Sequence, residues 1–439
     1  MPSAARAQAL LFLLVLGLGA WQLDTGRNDN TVSRALAVRA LVETGALEIT
    51  EHHALTGDKA VTDGRYYSDK APLPTLAVAL IWKALRATGL VEPCADPVDD
   101  RVLVLGGLLF GSVPFALLVL LVHRRLLRCR VPHPALLAAL PFLGSFLFVY
   151  SGTFYNHLPA ALFALLAAID LTEARRTRAG LWAGLAVACD ASMLFPLAVW
   201  IAQVALGRKG LVGFALGLLP GALITAGHNL AVTGSPLTFP SAHAVNYGIM
   251  REAYGFGTWQ PRAFLGLTIS PYRGLLVYAP AMVAVLLWAW GRRARIRSGG
   301  LLADPFLLPA AVLMLAFFTH GTWWGGWTYG PRYLTAVPAL LLYRGLPGIA
   351  ADQRMARIAI ALSLAGLACA AAARLTTGYA LPTTVADPLV ESILPLVLSR
   401  TFAPAGWPAA AGFSPVMGAF LYALTLAAAL RGMQRLSPA

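Results

Sequence analysis

Three stretches of this chain carry side chains able to move protons or hold anions, and each lies beside a long apolar run. The first reads Asp24, Thr25, Gly26, Arg27, Asn28, Asp29, Asn30. A helix is predicted to follow, from Thr31 or Val32 to Thr44, capped by Thr31 or Asn30 and stopped by Gly45. A carboxylate beside the positive end of a helix stays ionised and can accept a proton, so Asp29 and Asp24 are candidate bases. The plainer reading makes Asp29 part of the helix cap.

The second stretch, Tyr66, Tyr67, Ser68, Asp69, Lys70, Ala71, Pro72, opens another predicted helix with a proline at its first turn. Lys70 there either reaches an anion such as a lipid phosphate or serves as a snorkelling anchor. The third stretch, residues 320–333, packs Trp323, Trp324, Trp327, Tyr329 and Tyr333 among four glycines around Arg332. Such aromatics belong to a membrane-interface belt or to a substrate platform. Arg332 has the planar fork that grips phosphate oxygens with two prongs, and Arg273 stands at a similar place after Tyr272. Asn156, His157 and His228 fall at further helix ends, where structural hydrogen bonding is the plainer role and substrate contact the alternative. No spaced His and carboxylate cluster suggests a metal.

The elements that position these residues follow from composition. Of 439 residues 58% are hydrophobic and 12% charged, which excludes an ordinary soluble enzyme. Apolar runs fall near 7–23, 102–122, 133–150, 158–172, 180–206, 211–227, 275–291, 305–319, 333–347, 358–375 and 414–430. The first run continues through Trp21, Gln22 and Leu23 past its small residues, so it reads as a span rather than a cleaved leader. Basic clusters at 124–130, 175–178, 208–209, 292–297, 354–357 and 431–435, with Arg6, mark the cytoplasmic side. The run 180–206 has basic residues at both ends, so it must be a hairpin of two short arms turning near Asp190. The run 72–91 carries Lys83 and Arg86 beside Trp82, which suits a helix lying in the outer interface.

The expected fold is therefore an all-α polytopic membrane protein of one domain, 1–439, with about twelve transmembrane helices, several of them short, and both termini cytoplasmic. Outer segments are 24–100 with interfacial helices, 228–274 and 376–413, so chemistry faces outward. The net charge of +14 is a topology signal and not a nucleic-acid signal. There is neither a P-loop nor a dinucleotide fingerprint. Cys94, Cys129, Cys189 and Cys369 have no paired spacing.

The chain resembles the GT-C superfamily of glycosyltransferases, which includes protein O-mannosyltransferases and lipid A aminoarabinose transferases. The resemblance lies in the acidic residue before a first-loop helix (Asp29 and 31–44), the Asp69-Lys70-Ala71-Pro72-Leu73 start of an interfacial helix, and Gly330-Pro331-Arg332-Tyr333. It departs at Ala71, where the family has proline, and at Asn30, where an acidic pair would continue. The resemblance implies a polyprenyl-phosphate sugar donor, a protein, glycan or lipid acceptor hydroxyl, no cofactor, and an inverting displacement with Asp29 or Asp24 as base. It places the active site on the periplasmic face of the cytoplasmic (inner) membrane. Lys70, Arg273 and Arg332 would then hold the lipid phosphate. Asp69, Tyr67, Asn156, His157, His228, Trp323, Trp324, Trp327 and Tyr333 would contact substrate, and the isoprenoid tail would lie beside the short 180–206 hairpin. The rival reading is a transporter or flippase of a lipid-linked sugar, for which Asp190 is the one candidate ionisable residue inside the bilayer.

Overall fold

The structure, a computed structural model, describes residues 4–207, 209–293, 300–404 and 406–436. Arg208, Arg295 and Arg297 of the basic clusters lie outside the described residues. The chain is 69% helical, and the one sheet among the described residues is a two-stranded hairpin. The main helices are α1 (Ala4–Trp21), α2 (Asp29–Glu43), α3 (Pro72–Ala87), α4 (Asp100–Arg128), α5 (Pro134–Leu143), α6 (His157–Thr172) and α7 (Arg176–Cys189). After these come α8 (Leu194–Leu206), α9 (Leu211–Thr233), α10 (Ala281–Gly291), α11 (Leu307–Phe317), α12 (Ala336–Ala350), α13 (Gln353–Leu375) and α14 (Pro415–Arg435). Four of them, α4, α9, α13 and α14, are long and apolar enough to cross a membrane, alongside shorter apolar helices.

The run 180–206 breaks as its flanking charges require. Helix α7 ends at Cys189, Asp190 is extended, and α8 begins at Leu194. The two arms turn back on each other at the end of the bundle that carries the long loops. Helix α9 differs from its predicted end: it continues to Thr233, so His228 and Asn229 lie within the helix.

Helices α7 and α9 run parallel with their backbones almost touching. A methyl on Gly217 would lie 2.0 Å from the Thr177 carbonyl oxygen, and one on Gly221 would lie 2.1 Å from Gly184. Gly180 meets Phe214 and Gly184 meets Leu218 in the same way. Each helix therefore presents a pair of glycines four residues apart on one face, the small-residue packing of helices that have no hydrophobic drive to associate in lipid. This contact fixes the hairpin tip at Asp190 beside the loops.

Two local features of the first long loop differ from expectation. Asn28 is the cap of α2: its side-chain oxygen accepts from the backbone N–H of Asn30 and Thr31, while the Thr31 hydroxyl oxygen accepts from the Asn28 N–H. Asp29 is consequently the first residue inside the helix and is released from capping. The loop also contains β1 (Lys59–Thr62) and β2 (Arg65–Ser68), joined by Asp63 and Gly64 with φ of 51° and 75°. Positive φ at both central residues makes the two-residue turn whose twist matches a hairpin.

The glycine contact yields a prediction. Gly217→Val and Gly221→Val should each lower the unfolding temperature of the detergent-solubilised protein markedly, since a side chain there overpacks a backbone contact by one to several kcal/mol. Gly227→Ala, where nothing lies within 4 Å of the added carbon, should be neutral or slightly stabilising.

Candidate functional site

The hairpin register builds the centre of the site. Lys59 pairs with Ser68, so the next residues outward, Asp58 and Asp69, face each other across the open end of the hairpin. Lys70 follows at once, and its ammonium lies 2.7 Å from Asp58 Oδ2 and 3.0 Å from Asp69 Oδ1. Both carboxylates and the lysine are largely buried. Burial opposes charge on Asp58, but the Lys70 charge and hydrogen bond outweigh it and hold that carboxyl below its ordinary range. For Asp69 burial wins, reinforced by the Asp58 charge, and the carboxyl is raised. Burial likewise opposes the Lys70 ammonium, yet the two carboxylates raise it above its ordinary range.

Three spaces meet at Lys70. The largest, 740 Å³, is lined by Asn28, Asp29, Asp58, Trp324, Trp327 and Tyr379 among others, with Tyr155 and Tyr247 on its walls. A polar chamber of 190 Å³ reaches inward to Asn156, His157, Asp190 and His228. The two share Asn30, Asp69, Lys70, Ser241, Arg332 and Tyr333, which form the neck between them. The third is a narrow apolar gap of 10 Å³ between α2, α3 and α9, bordered by Ala37, Leu47, Tyr67, Pro72, Leu76 and Val232.

Arg332 stands in the neck. Its guanidinium carbon is 5.4 Å from the ring centres of both Tyr155 and Tyr333, and its Nε is buried without a hydrogen-bond partner. No side-chain hydrogen bond or ion pair engages it among the described residues. The tyrosine wall is itself held: Tyr155 donates to Asn28 Oδ1 at 3.3 Å, Asn28 Nδ2 donates to the Tyr379 hydroxyl, and the Tyr155 and Tyr379 rings lie 5.5 Å apart. A planar cation between two aromatic faces with its donors unused is a ready receptor for a planar or tetrahedral anion.

The structure places Arg273, expected at the lipid phosphate, away from the three spaces. It is fully buried, lines none of the three spaces, and donates to the carbonyls of Tyr272, Gly326, Leu381 and Pro382. It clamps three loops together and has no fork left for a phosphate. Trp323 also turns away from the site, packing against Gly266 and edge-on to Tyr272. Asp24 accepts from the Gly26 N–H at 2.8 Å and lines none of the spaces, whereas Asp29 opens on the large one. Asp29 Oδ1 accepts from the Gly57 N–H at 2.7 Å. Tyr67 lines the apolar gap, His228 the gap and the polar chamber, and Asn156 and His157 the polar chamber. Trp324 and Trp327 line the large space, and Asp69, Tyr333 and Arg332 the neck.

Several site residues were not singled out from the sequence. Asp58 becomes visible only through the hairpin, whose Asp63-Gly64 turn signal lies between two strand-like segments. Tyr155 and Tyr379 carry no local signal. Arg34, fully buried on α2, donates to Asn30 Oδ1 at 3.1 Å and Asn156 Oδ1 at 2.8 Å. Asp190, which the sequence offers as the hairpin turn and as an ionisable residue inside the bilayer, lines the polar chamber and bonds His157 and Asn156. Among the described residues no group of three or more His, Cys, Asp or Glu side chains could hold a metal ion.

No family model matches the chain, and no curated protein does. A solved structure, ArnT from Cupriavidus metallidurans bound to undecaprenyl phosphate, superposes with a TM-score of 0.52 at 15% identity. The match covers 98% of this chain and 76% of that one. The archaeal oligosaccharyltransferase AglB from Archaeoglobus fulgidus, in complex with an inhibitory peptide and a dolichol-phosphate, matches at a TM-score of 0.46 and 12% identity, over 82% of this chain and 54% of that one. The likeness shows that this chain shares the fold of ArnT.

The opposed behaviour of Asp58 and Asp69 gives a pH-dependent prediction. Asp58, depressed in the folded state, contributes stability that is present above its unfolded value near pH 3.9 and lost as pH falls through its folded value. Asp69, raised in the folded state, disfavours folding once pH exceeds its folded value and is without that effect in acid. Asp58→Asn should therefore cost about 3–5 kcal/mol at pH 7, as expected for breaking a buried pair. Asp69→Asn should cost much less, and the gap between the two variants should narrow from pH 7 to pH 4 in thermal unfolding.

Proposed function

We propose that this protein is a membrane glycosyltransferase that moves a sugar from a polyprenyl-phosphate donor to an acceptor hydroxyl. The observation that carries this reading is Arg332, a partly buried guanidinium with no protein hydrogen-bond partner, at the neck between the large space and the polar chamber, beside the Lys70 that also borders the apolar gap. Each part of such a donor and its acceptor has a matching space. The phosphate lies at the neck against Arg332 and Lys70. The isoprenoid tail leaves by the apolar gap between α3 and α9, and reaches lipid along the exposed Leu216, Leu219, Leu223 and Leu230 of α9. This route replaces the groove beside the α7–α8 hairpin, because the hairpin tip carries Asp190 and borders the polar chamber. The acceptor enters the large space, where Trp324, Trp327 and Tyr379 offer flat faces and Asp29 a carboxylate.

The chemistry needs one base. The acceptor hydroxyl attacks the anomeric carbon through an oxocarbenium-like transition state, its proton passes to Asp29, and the bond from that carbon to the lipid phosphate breaks. The leaving phosphate gains charge and needs stabilisation rather than a proton; Arg332 and the clamped Lys70 supply it. Asp29 suits the role because Asn28 already caps the helix and Gly57 holds only one of its oxygens by hydrogen bond. Asp24 is second choice, since it lines none of the spaces.

The direct test supplies purified protein with a panel of polyprenyl-phosphate sugars and follows transfer. Arg332→Gln should weaken binding of undecaprenyl phosphate by roughly one to two orders of magnitude, and Arg332→Lys should recover little, since an ammonium lacks the fork. Asp29→Asn should keep donor binding and lose about 10² to 10⁴ in turnover. Wild-type binding by Arg332→Gln, or wild-type turnover by Asp29→Asn, would each remove the assigned role.

The reading also sets sidedness, with 24–100 wholly periplasmic, both termini cytoplasmic, and α3 lying in the outer interface. In a background free of Cys94 and Cys129, single cysteines at exposed Asp63 and Ala95 flank α3. Both should react with an impermeant thiol reagent added from outside. Labelling of only one of them would mean that α3 crosses the membrane.

A further inference from the structure

The polar chamber is a built site whose hydrogen-bonding groups divide into those already used and those left open. Asp190 is saturated: Oδ1 accepts from the Ser192 N–H at 3.0 Å and the Ser192 hydroxyl at 2.8 Å. Oδ2 accepts from Asn156 Nδ2 at 3.1 Å and His157 Nδ1 at 2.7 Å. Asn156 is engaged at both ends, its amide nitrogen with Asp190 and its oxygen with Arg34. The Asn30 oxygen also receives Arg34.

What remains open is complementary. With Nδ1–H committed to Asp190, the neutral His157 ring presents Nε2 as an acceptor, and Asn30 Nδ2 is left as a donor. The hydroxyls of Ser241 and Tyr333, which line the same chamber, make no side-chain hydrogen bond among the described residues. An isoprenyl chain placed here would leave all four groups without partners. A ring bearing hydroxyls would satisfy them, and 190 Å³ is space on the scale of one sugar ring.

The anions of the chamber exclude one class of sugar. Asp190 has no lone pair left for an incoming donor, and Asp69 is engaged with Lys70 and resists ionisation. The remaining charges on the walls are the cations Arg34, Lys70 and Arg332. An ammonium group brought in on the substrate would be desolvated beside like charges, and the one carboxylate of the chamber not already saturated, Asp69, is shared with the Lys70 ammonium.

We infer that the polar chamber, with His157 oriented by Asp190 as its acceptor, binds the sugar of the lipid-linked donor and selects an uncharged, hydroxylated sugar over an amino sugar. This rests on the donor reading proposed above. His157 touches the sugar, and Asp190 is a positioning residue that fixes the ring tautomer.

The test measures binding to the purified full-length protein in nanodiscs at pH 6. The probes are bare undecaprenyl phosphate, undecaprenyl-phosphate-linked glucose, galactose and mannose, and the 2-amino counterpart of each. The best neutral sugar lipid should bind roughly tenfold or more tighter than its amino counterpart, the scale of one lost hydrogen bond plus an unpaired buried charge. His157→Phe should shrink the ratio of neutral-sugar lipid to bare-lipid affinity, and His157→Gln, which keeps an acceptor, should restore part of it. An amino sugar bound as well as its neutral counterpart overturns the inference, and so does an unchanged ratio in His157→Phe. Bare undecaprenyl phosphate that fails to bind the wild type overturns the donor reading itself, and this inference with it.

Discussion

The ammonium of Lys70 between Asp58 and Asp69 is the constraint on which the rest of the site depends. A two-residue turn at Asp63 and Gly64 sets the register of β1 and β2, and that register brings two carboxylates face to face. Two buried carboxylates at that separation cannot both ionise without a cation, and Lys70 is the cation. The polar chamber, the large space and the apolar gap all border this one side chain. A shift of register by one residue would place the two aspartates on opposite faces of the hairpin and separate the three spaces from their common neck.

Two buried arginines and a partly buried one show how one residue type is put to different uses by what surrounds it. Arg273 donates through both terminal nitrogens to four backbone carbonyls and joins loops distant in the chain, with its Nε left unpaired. Arg34 is satisfied by side-chain oxygens of Asn30 and Asn156, joining α2 to the start of α6. Arg332 has two aromatic faces and no acceptor. Its terminal nitrogens face the two spaces it lines, so they are free to meet a ligand. That difference is why the proposed phosphate site uses Arg332 and not Arg273.

The sequence made the apolar elements legible because span length and the placement of basic clusters are strong local signals. The break at Asp190 followed from charges at both ends of 180–206, and α3 followed from its proline start and basic residues. Arg273 and Arg332 were not separable, since each sits between an aromatic or proline and a helix, and the carbonyls that claim Arg273 come from residues 326, 381 and 382. The cap of α2 was placed too late in the chain. Asn28 and Thr31 form a reciprocal pair at the right spacing, but Asn30 and Thr31 offer equally good local chemistry, and the packing of Tyr155 and Tyr379 on Asn28 decides between them. The glycine pairs on α7 and α9 were present at the spacing of close helix packing; their partnership across the α8 return is a tertiary fact.

Placement of the candidate base and of the polar chamber is a single problem in this fold. Helix α2 begins at Asp29, carries Asn30 and Arg34 one turn on, and through Arg34 bonds Asn156, which bonds Asp190 and with it His157. The far end of that line is the hairpin tip, held by the glycine contact of α7 with α9. A carboxylate facing the large space and an imidazole facing the polar chamber are thus tied to one helix start by successive hydrogen bonds. Arg34 is the link that cannot be made neutral without leaving two amide oxygens buried and unpaired. Such a line helps a base and a binding chamber on either side of the neck keep a fixed spacing, because the loops that wall the large space carry only short 3-10 turns and a two-stranded hairpin of their own.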